Sequence, residues 1–125
     1  MIIADTSIWI EFFKKHQPCY SVILGLMEAQ AVLALSFVFG ELYQGALNTK
    51  EMTTLKHYYQ NLPHIDEANI WLDAGLYSNK NRLLAKGIGL IDAAIIIAAL
   101  QNQAKIWTLD KKLIHVTPSL NRFSM

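Results

Sequence analysis

Four of the ten acidic residues in this 125-residue chain fall inside or at the end of its most apolar stretches. Asp5 closes IIAD, Glu41 lies in FVFGELY, Asp92 interrupts GLIDAAIII and Asp110 closes IWTLD. A carboxylate in apolar surroundings is costly unless it is paired, protonated or bound to a metal. No Lys or Arg adjoins any of the four until Lys111. The pattern favours a fold that brings the ends of buried segments to one edge, where the acids share a compensating positive charge. A divalent cation supplies that charge most economically.

The order of segments agrees. Ile2, Ile3 and Ala4 form an apolar run without alternation, the pattern of a strand buried on both faces, and it ends at Asp5. Thr6 or Ser7 is placed to cap a helix that Lys14 and Lys15 close favourably against its dipole. Pro18 restarts a helix toward Ala29, and residues 31–35 read as a second buried strand. Ser36 then caps a helix with Glu41 near its start, and Gly45 on the same face leaves room for another backbone. Residues 50–61 are helical and stopped by Pro63, while 66–86 give one long or broken amphipathic helix ending at Gly87. Gly89 precedes a helix over 91–103, residues 105–109 form a third strand ending on Asp110, and Val116 and Thr117 read as a short edge strand limited by Pro118. Strands alternating with helices imply right-handed crossovers and a parallel sheet covered on both faces. Ligands bind such sheets outside the carboxyl ends of the strands, where Asp5 and Asp110 both fall.

Composition narrows the functional classes. With 53% hydrophobic residues and no linker-like or low-complexity run, the chain is expected to form one domain with a real core. Its longest apolar stretch, residues 93–100, is far short of the roughly 20 residues of a membrane span. The start lacks a basic segment followed by an apolar one, so a cytoplasmic protein without a membrane partner is expected. The single cysteine, Cys19, excludes an internal disulfide and every Cys-rich metal motif, and reads as a core side chain. A net charge of +1 argues against a broad polyanion-binding surface but not against a nuclease that recruits its substrate locally.

Each acid also has an ordinary structural reading. Asp5 suits a helix cap, Asp92 a first-turn acid and Asp110 a plain turn after a strand. Together they point to one oxygen-only site, which suits Mg²⁺ or Mn²⁺. A phosphatase of the haloacid dehalogenase type would need Asp-x-Asp after the first strand, but the chain has Asp5-Thr6-Ser7. A receiver domain would need adjacent acids before its phosphoacceptor strand and a late strand-end Lys, and neither is present.

Asp-Thr-Ser at the first strand end, a Gly-Glu-Leu helix, Asp-Ala-Ala-Ile-Ile-Ile-Ala-Ala and Thr-Leu-Asp after a late strand occur in that order between Ile2 and about Leu113. This quartet resembles the PIN domain, and within it the VapC toxins of type II toxin-antitoxin systems. The resemblance implies an α/β fold, a PIN-like three-layer α/β/α arrangement with a central mainly parallel sheet flanked by helices, as a single PIN-like nuclease domain over residues 1–125. It implies a metal-dependent endoribonuclease that hydrolyses RNA phosphodiester bonds, with Asp5, Glu41, Asp92 and Asp110 as catalytic acids and as ligands of Mg²⁺ or Mn²⁺. Thr6, Ser7 and Thr108 correspond to supporting hydroxyls. The implied partners are an RNA substrate (tRNA, rRNA or mRNA), a cognate antitoxin whose C-terminal segment lies across the toxin, and a second copy in a homodimer. The family's late motif often reads Thr-x-Asp-x-Asp-Phe, whereas here Lys112 and Leu113 occupy the last two places. That departure leaves as an alternative a non-catalytic PIN-like module that binds metal or RNA.

The remaining candidates are few. Lys111 and Lys112 adjoin Asp110, and Lys80, Arg82 and Lys86 form the only compact basic stretch, so Lys111, Lys112, Lys80 and Arg82 are candidate RNA contacts. His16, His57, His64 and His115 are dispersed and lack zinc-helix spacing. Trp9, Phe12, Phe13, Phe37, Phe39 and Tyr43 are expected to pack in the core or an interface rather than to stack bases. A mean hydropathy of +0.23 implies that part of the surface is covered by partners.

Overall fold

In the computed structural model, which describes residues 1–125, an early and a late strand lie side by side in the middle of the sheet. Strand β1 (Ile2–Ala4) pairs in parallel with β2 (Lys105–Trp107), in the register Ile2↔Lys105, Ile3↔Ile106, Ala4↔Trp107. Single parallel bridges extend the sheet on both sides: Ile2 to Val32, Ala34 to His64, and Ile106 to Arg122. All of β1 and the last two residues of β2 are buried, so helices cover the sheet on both faces.

Seven α-helices fill the chain: α1 (Thr6–Phe13), α2 (Cys19–Glu28), α3 (Ser36–Gln44), α4 (Thr49–Asn61), α5 (Ile70–Asn81), α6 (Leu90–Gln101) and α7 (Lys111–Val116). Helix α6 is apolar all round, and every residue from Ala93 to Ala99 is buried, which makes it the central helix of the core. It packs most extensively on α5. Trp9 meets Phe12 and Phe39 edge to face at 5.7 and 5.3 Å, and Cys19 is buried, so these side chains build the core as expected. No helix is long and apolar enough to cross a membrane.

Several boundaries differ from the sequence expectation, each for a physical reason. The first helix is capped by neither Thr6 nor Ser7 but by Asp5, whose carboxylate accepts the Ile8 N–H. Residues 31–35 are extended, yet Val32 and Ala34 pair with different neighbours, so no continuous ladder forms. Ser36 is the first residue of α3 rather than its cap, and its N–H and hydroxyl both donate to Glu67. Glu41 lies in the second half of α3, not near its start, and Gly45 is the C-cap with only carbonyls of its own helix nearby. The segment 66–86 becomes helical only at Ile70 and breaks at Arg82, whose φ of +54° is left-handed; the short 3₁₀ turn Leu84–Lys86 follows. Helix α6 spans Leu90–Gln101, not 91–103, and the strand at 105–109 stops at Trp107 because the next residues turn toward Ser7. Val116 and Thr117 form no edge strand: Val116 ends α7 and Thr117 caps it, and the outer pairing is made by Arg122.

Candidate active site

The parallel register sets the end of β1 beside the end of β2, and the two hydroxyls that flank these ends hold Asp5 between them. Asp5 is only 7% exposed. Its Oδ1 accepts from the Ser7 hydroxyl at 2.5 Å and from the Ile8 N–H at 3.3 Å, and its Oδ2 accepts from the Thr108 hydroxyl. Each hydroxyl is itself an acceptor: Ser7 Oγ takes the Leu109 N–H and Thr108 Oγ1 takes the Asp110 N–H, both at 3.0 Å. The result is a two-armed clamp in which backbone N–H groups orient hydroxyls and the hydroxyls orient a carboxylate. Asp5 is therefore both a helix cap and a candidate ligand, so the two readings of this residue do not compete.

The other acids stand around it. Asp110 caps α7, its Oδ1 accepting the Lys112 N–H at 2.9 Å. Glu41 projects from α3, and its Oε1 accepts the Thr6 hydroxyl at 2.8 Å. Asp92 lies in the first turn of α6, half-buried. Its carboxyl pKa is pushed up from 3.8 to about 6, first by burial and then by the negative charges of Asp110, Asp5 and Glu41. The three other acids are thus near enough to Asp92 for their charges to disfavour its ionised form, after burial itself.

No Lys, Arg or His forms an ion pair with any of the four acids. The single ion pair in the molecule joins His16 to Glu11 at 2.9 Å. The donor chemistry, oxygen-only and mutually repulsive, fits a hard divalent cation. No set of three His, Cys, Asp or Glu side chains is drawn onto one point as a finished ligand shell, however, and the acids are held instead by their hydroxyl and backbone partners.

Among the cations, Lys111 and Lys112 open α7 beside Asp110. Lys80 and Arg82 sit at the end of α5 and make no ion pair with any of the acids. The histidines stay apart, with His64 directed to the Tyr59 carbonyl. Sequence reasoning missed the part played by Gly87, read only as a helix stop: Lys112 lies against it, with Nζ 3.3 Å from where a Cβ would be. It also missed Glu67, whose carboxylate accepts from Ser36 at the head of α3 and so fixes the helix that bears Glu41. The available signal for Gly87 was glycine itself, the residue that most readily takes a left-handed φ; nothing local to residue 67 announces its partner 31 positions away.

The PIN domain family model matches residues 2–117 of the chain. The chain is also similar to the protein named Ribonuclease VapC32 from Mycobacterium tuberculosis strain CDC 1551 / Oshkosh and from strain ATCC 25618 / H37Rv. In both cases 30% of 116 residues are identical, covering 90% of this chain and 87% of the relative.

Proposed function

The chain belongs to the PIN domain family, and from that premise we propose that it is an endoribonuclease, the toxin of a toxin-antitoxin pair, which hydrolyses RNA phosphodiester bonds at a carboxylate-bound Mg²⁺ or Mn²⁺. The observation that carries the proposal is that Asp5, Glu41, Asp92 and Asp110 come from four separate elements, none is paired with a Lys, Arg or His, and Asp92 has its pKa raised by burial and then by the charges of the other three.

In this reading Asp5, Glu41, Asp92 and Asp110 hold the ion. Bound there, the ion supplies a Lewis acid for a phosphate oxygen and lowers the pKa of the attacking water. Ser7 and Thr108 keep Asp5 in one orientation. Asp110 is fixed by its capping bond to Lys112 N–H, and Thr6 holds one oxygen of Glu41. Glu41 or Asp110, each with one carboxylate oxygen free of protein partners, takes the proton from the attacking water. Asp92, costly to ionise while the metal is absent, is the acid that gains most when a cation arrives.

The same proposal includes a cytoplasmic location, one domain over residues 1–125, and two partners that need apolar surface, a second copy of the chain and a cognate antitoxin. Two tracts support it. Trp71, Leu72 and Leu76 stand exposed along α5, Leu72 and Leu76 at 74% and 71%. An open groove of about 650 Å³ runs between α1, α3 and α4, bordered by Ile10, Phe13, Leu42 and Leu47. None of the four acids lines it.

The test is cleavage of total cellular RNA and of a tRNA pool in Mn²⁺, for wild type, Asp5→Asn and Asp92→Asn, with EDTA controls. Discrete fragments that vanish in both variants and in EDTA are expected. Equal cleavage by wild type and Asp5→Asn would sink the assigned site, and Mn²⁺ binding without cleavage of any RNA would transfer the reading to a non-catalytic module.

A further inference from the structure

Lys112 stands where the resemblance in the sequence leads one to expect an acid, and its ammonium makes no ion pair with any of the carboxylates. Its stem lies along the turn before α6: from the point a Gly87 Cβ would occupy, Nζ is 3.3 Å, Cδ 3.6 Å and Cε 3.8 Å away. Gly87 makes this possible twice over, since it has no side chain and adopts a φ of +80° that other residues rarely take. The turn beneath the lysine is well built. Gly87 N–H donates to the Leu84 carbonyl at 3.1 Å and Ile88 N–H to the Leu83 carbonyl at 3.0 Å.

Lys112 therefore reaches from α7, which Asp110 caps, to the turn that leads into α6, whose first turn carries Asp92. Yet it forms no ion pair with either of them or with any other acid. Lys86 directly precedes Gly87 and Lys111 directly precedes Lys112, and all three lysines are exposed. A polyanionic strand approaching four carboxylates is repelled by them, so an unpaired cation between the elements that carry Asp110 and Asp92 is where its backbone can be received.

We propose that Lys112, laid across Gly87, is the cation that receives an RNA phosphate beside the acids, so that the substrate strand enters over the turn at residues 86–89. This rests on the reading of the chain as a ribonuclease and deepens it. It selects Lys112, with Lys86 and Lys111 beside it, over Lys80 and Arg82 as the path of the strand. Lys112 is a substrate-binding residue here, acting on the phosphate backbone and carrying no sequence preference.

The experiment is binding of a fluorescent single-stranded RNA oligonucleotide of mixed sequence, in EDTA so that no hydrolysis runs, across a salt series. Wild type is compared with Lys112→Met, which keeps the apolar stem, and with Lys105→Met, which removes a cation at the far end of β2 from the acids. Thermal melting confirms that all three are folded, and Mn²⁺-dependent cleavage of the same oligonucleotide is recorded for each. One phosphate contact on a single strand changes the slope of log K against log salt by about 0.7. That predicts about fivefold weaker binding by Lys112→Met at 0.1 M salt, a shallower slope, and no change for Lys105→Met. Unchanged affinity and slope in Lys112→Met, with wild type binding and cleaving the RNA, would overturn this inference and leave the ribonuclease reading standing. Equal losses in Lys112→Met and Lys105→Met would also overturn it, since the effect would then be general charge. Wild type that neither binds nor cleaves RNA would overturn both.

Discussion

Replacing Asp92 by Asn should make the metal-free protein more stable at neutral pH, although it removes a candidate ligand. The native carboxyl has its pKa raised from 3.8 to about 6, by burial and then by Asp110, Asp5 and Glu41. At about 1.4 kcal/mol per tenfold change in proton affinity, that rise corresponds to about 3 kcal/mol against the ionised form. Asp92 is only half-buried, so solvent screening reduces the figure, and a gain of about 1 kcal/mol is the reasonable expectation for Asp92→Asn. The direction with pH follows from linkage. The folded state holds the proton more tightly than the unfolded state, so wild type is favoured at low pH and loses stability as pH rises from about 4 through about 6. Urea unfolding in EDTA at pH 7.5 and at pH 5 reads both effects: the Asp92→Asn substitution should raise the midpoint at pH 7.5, and its advantage should shrink at pH 5. Adding Mn²⁺ should stabilise wild type more than the variant and close the gap. A variant no more stable than wild type at pH 7.5, or an advantage that grows toward pH 5, would show that the four acids do not repel one another in solution.

Other perturbations probe the supports of the site. Thr108→Val removes the hydroxyl between Asp5 Oδ2 and the Asp110 N–H, leaving buried groups unsatisfied; a loss of about 1–3 kcal/mol in urea unfolding is expected, with Thr108→Ser recovering most of it. Gly87→Ala places a Cβ 3.3 Å from Lys112 Nζ at a φ of +80°, so it should cost about 1 kcal/mol and lower the melting temperature by a few degrees. Ile96→Ala opens a cavity in the fully buried middle of α6, and a loss of about 2–5 kcal/mol in the same assay would match a side chain with no exposure at all.

What could be read in the sequence was what local chemistry dictates. The run Ile2–Ala4 ending in Asp5 announced a buried strand with an acid at its carboxyl end, and the apolar sequence around Asp92 announced a buried helix with a polar first turn. Where partners came from far along the chain, the reading failed. Ser36 looked like a helix cap because Ser usually is one, but Glu67 takes both of its donors from outside the helix. The 31–35 segment looked like a full strand because its apolar pattern is right, whereas ladder length depends on how many consecutive partners a neighbour offers, and here each neighbour offers one. The order of acids in the sequence led to the expectation that Asp5, Glu41, Asp92 and Asp110 share one edge; it could not show that Thr6 would hold Glu41 or that Lys112 would lie against Gly87.

The bond between Thr108 and Asp5 joins residues 103 positions apart. Closing so long a span costs chain entropy, and contacts of that separation slow folding. Until β2 docks on β1, the carboxylate of Asp5 has water and its own local turn for company but no second arm. The second arm of the clamp on Asp5 thus exists only where β2 is docked on β1, so the order of this site depends on the closure of the sheet as a whole.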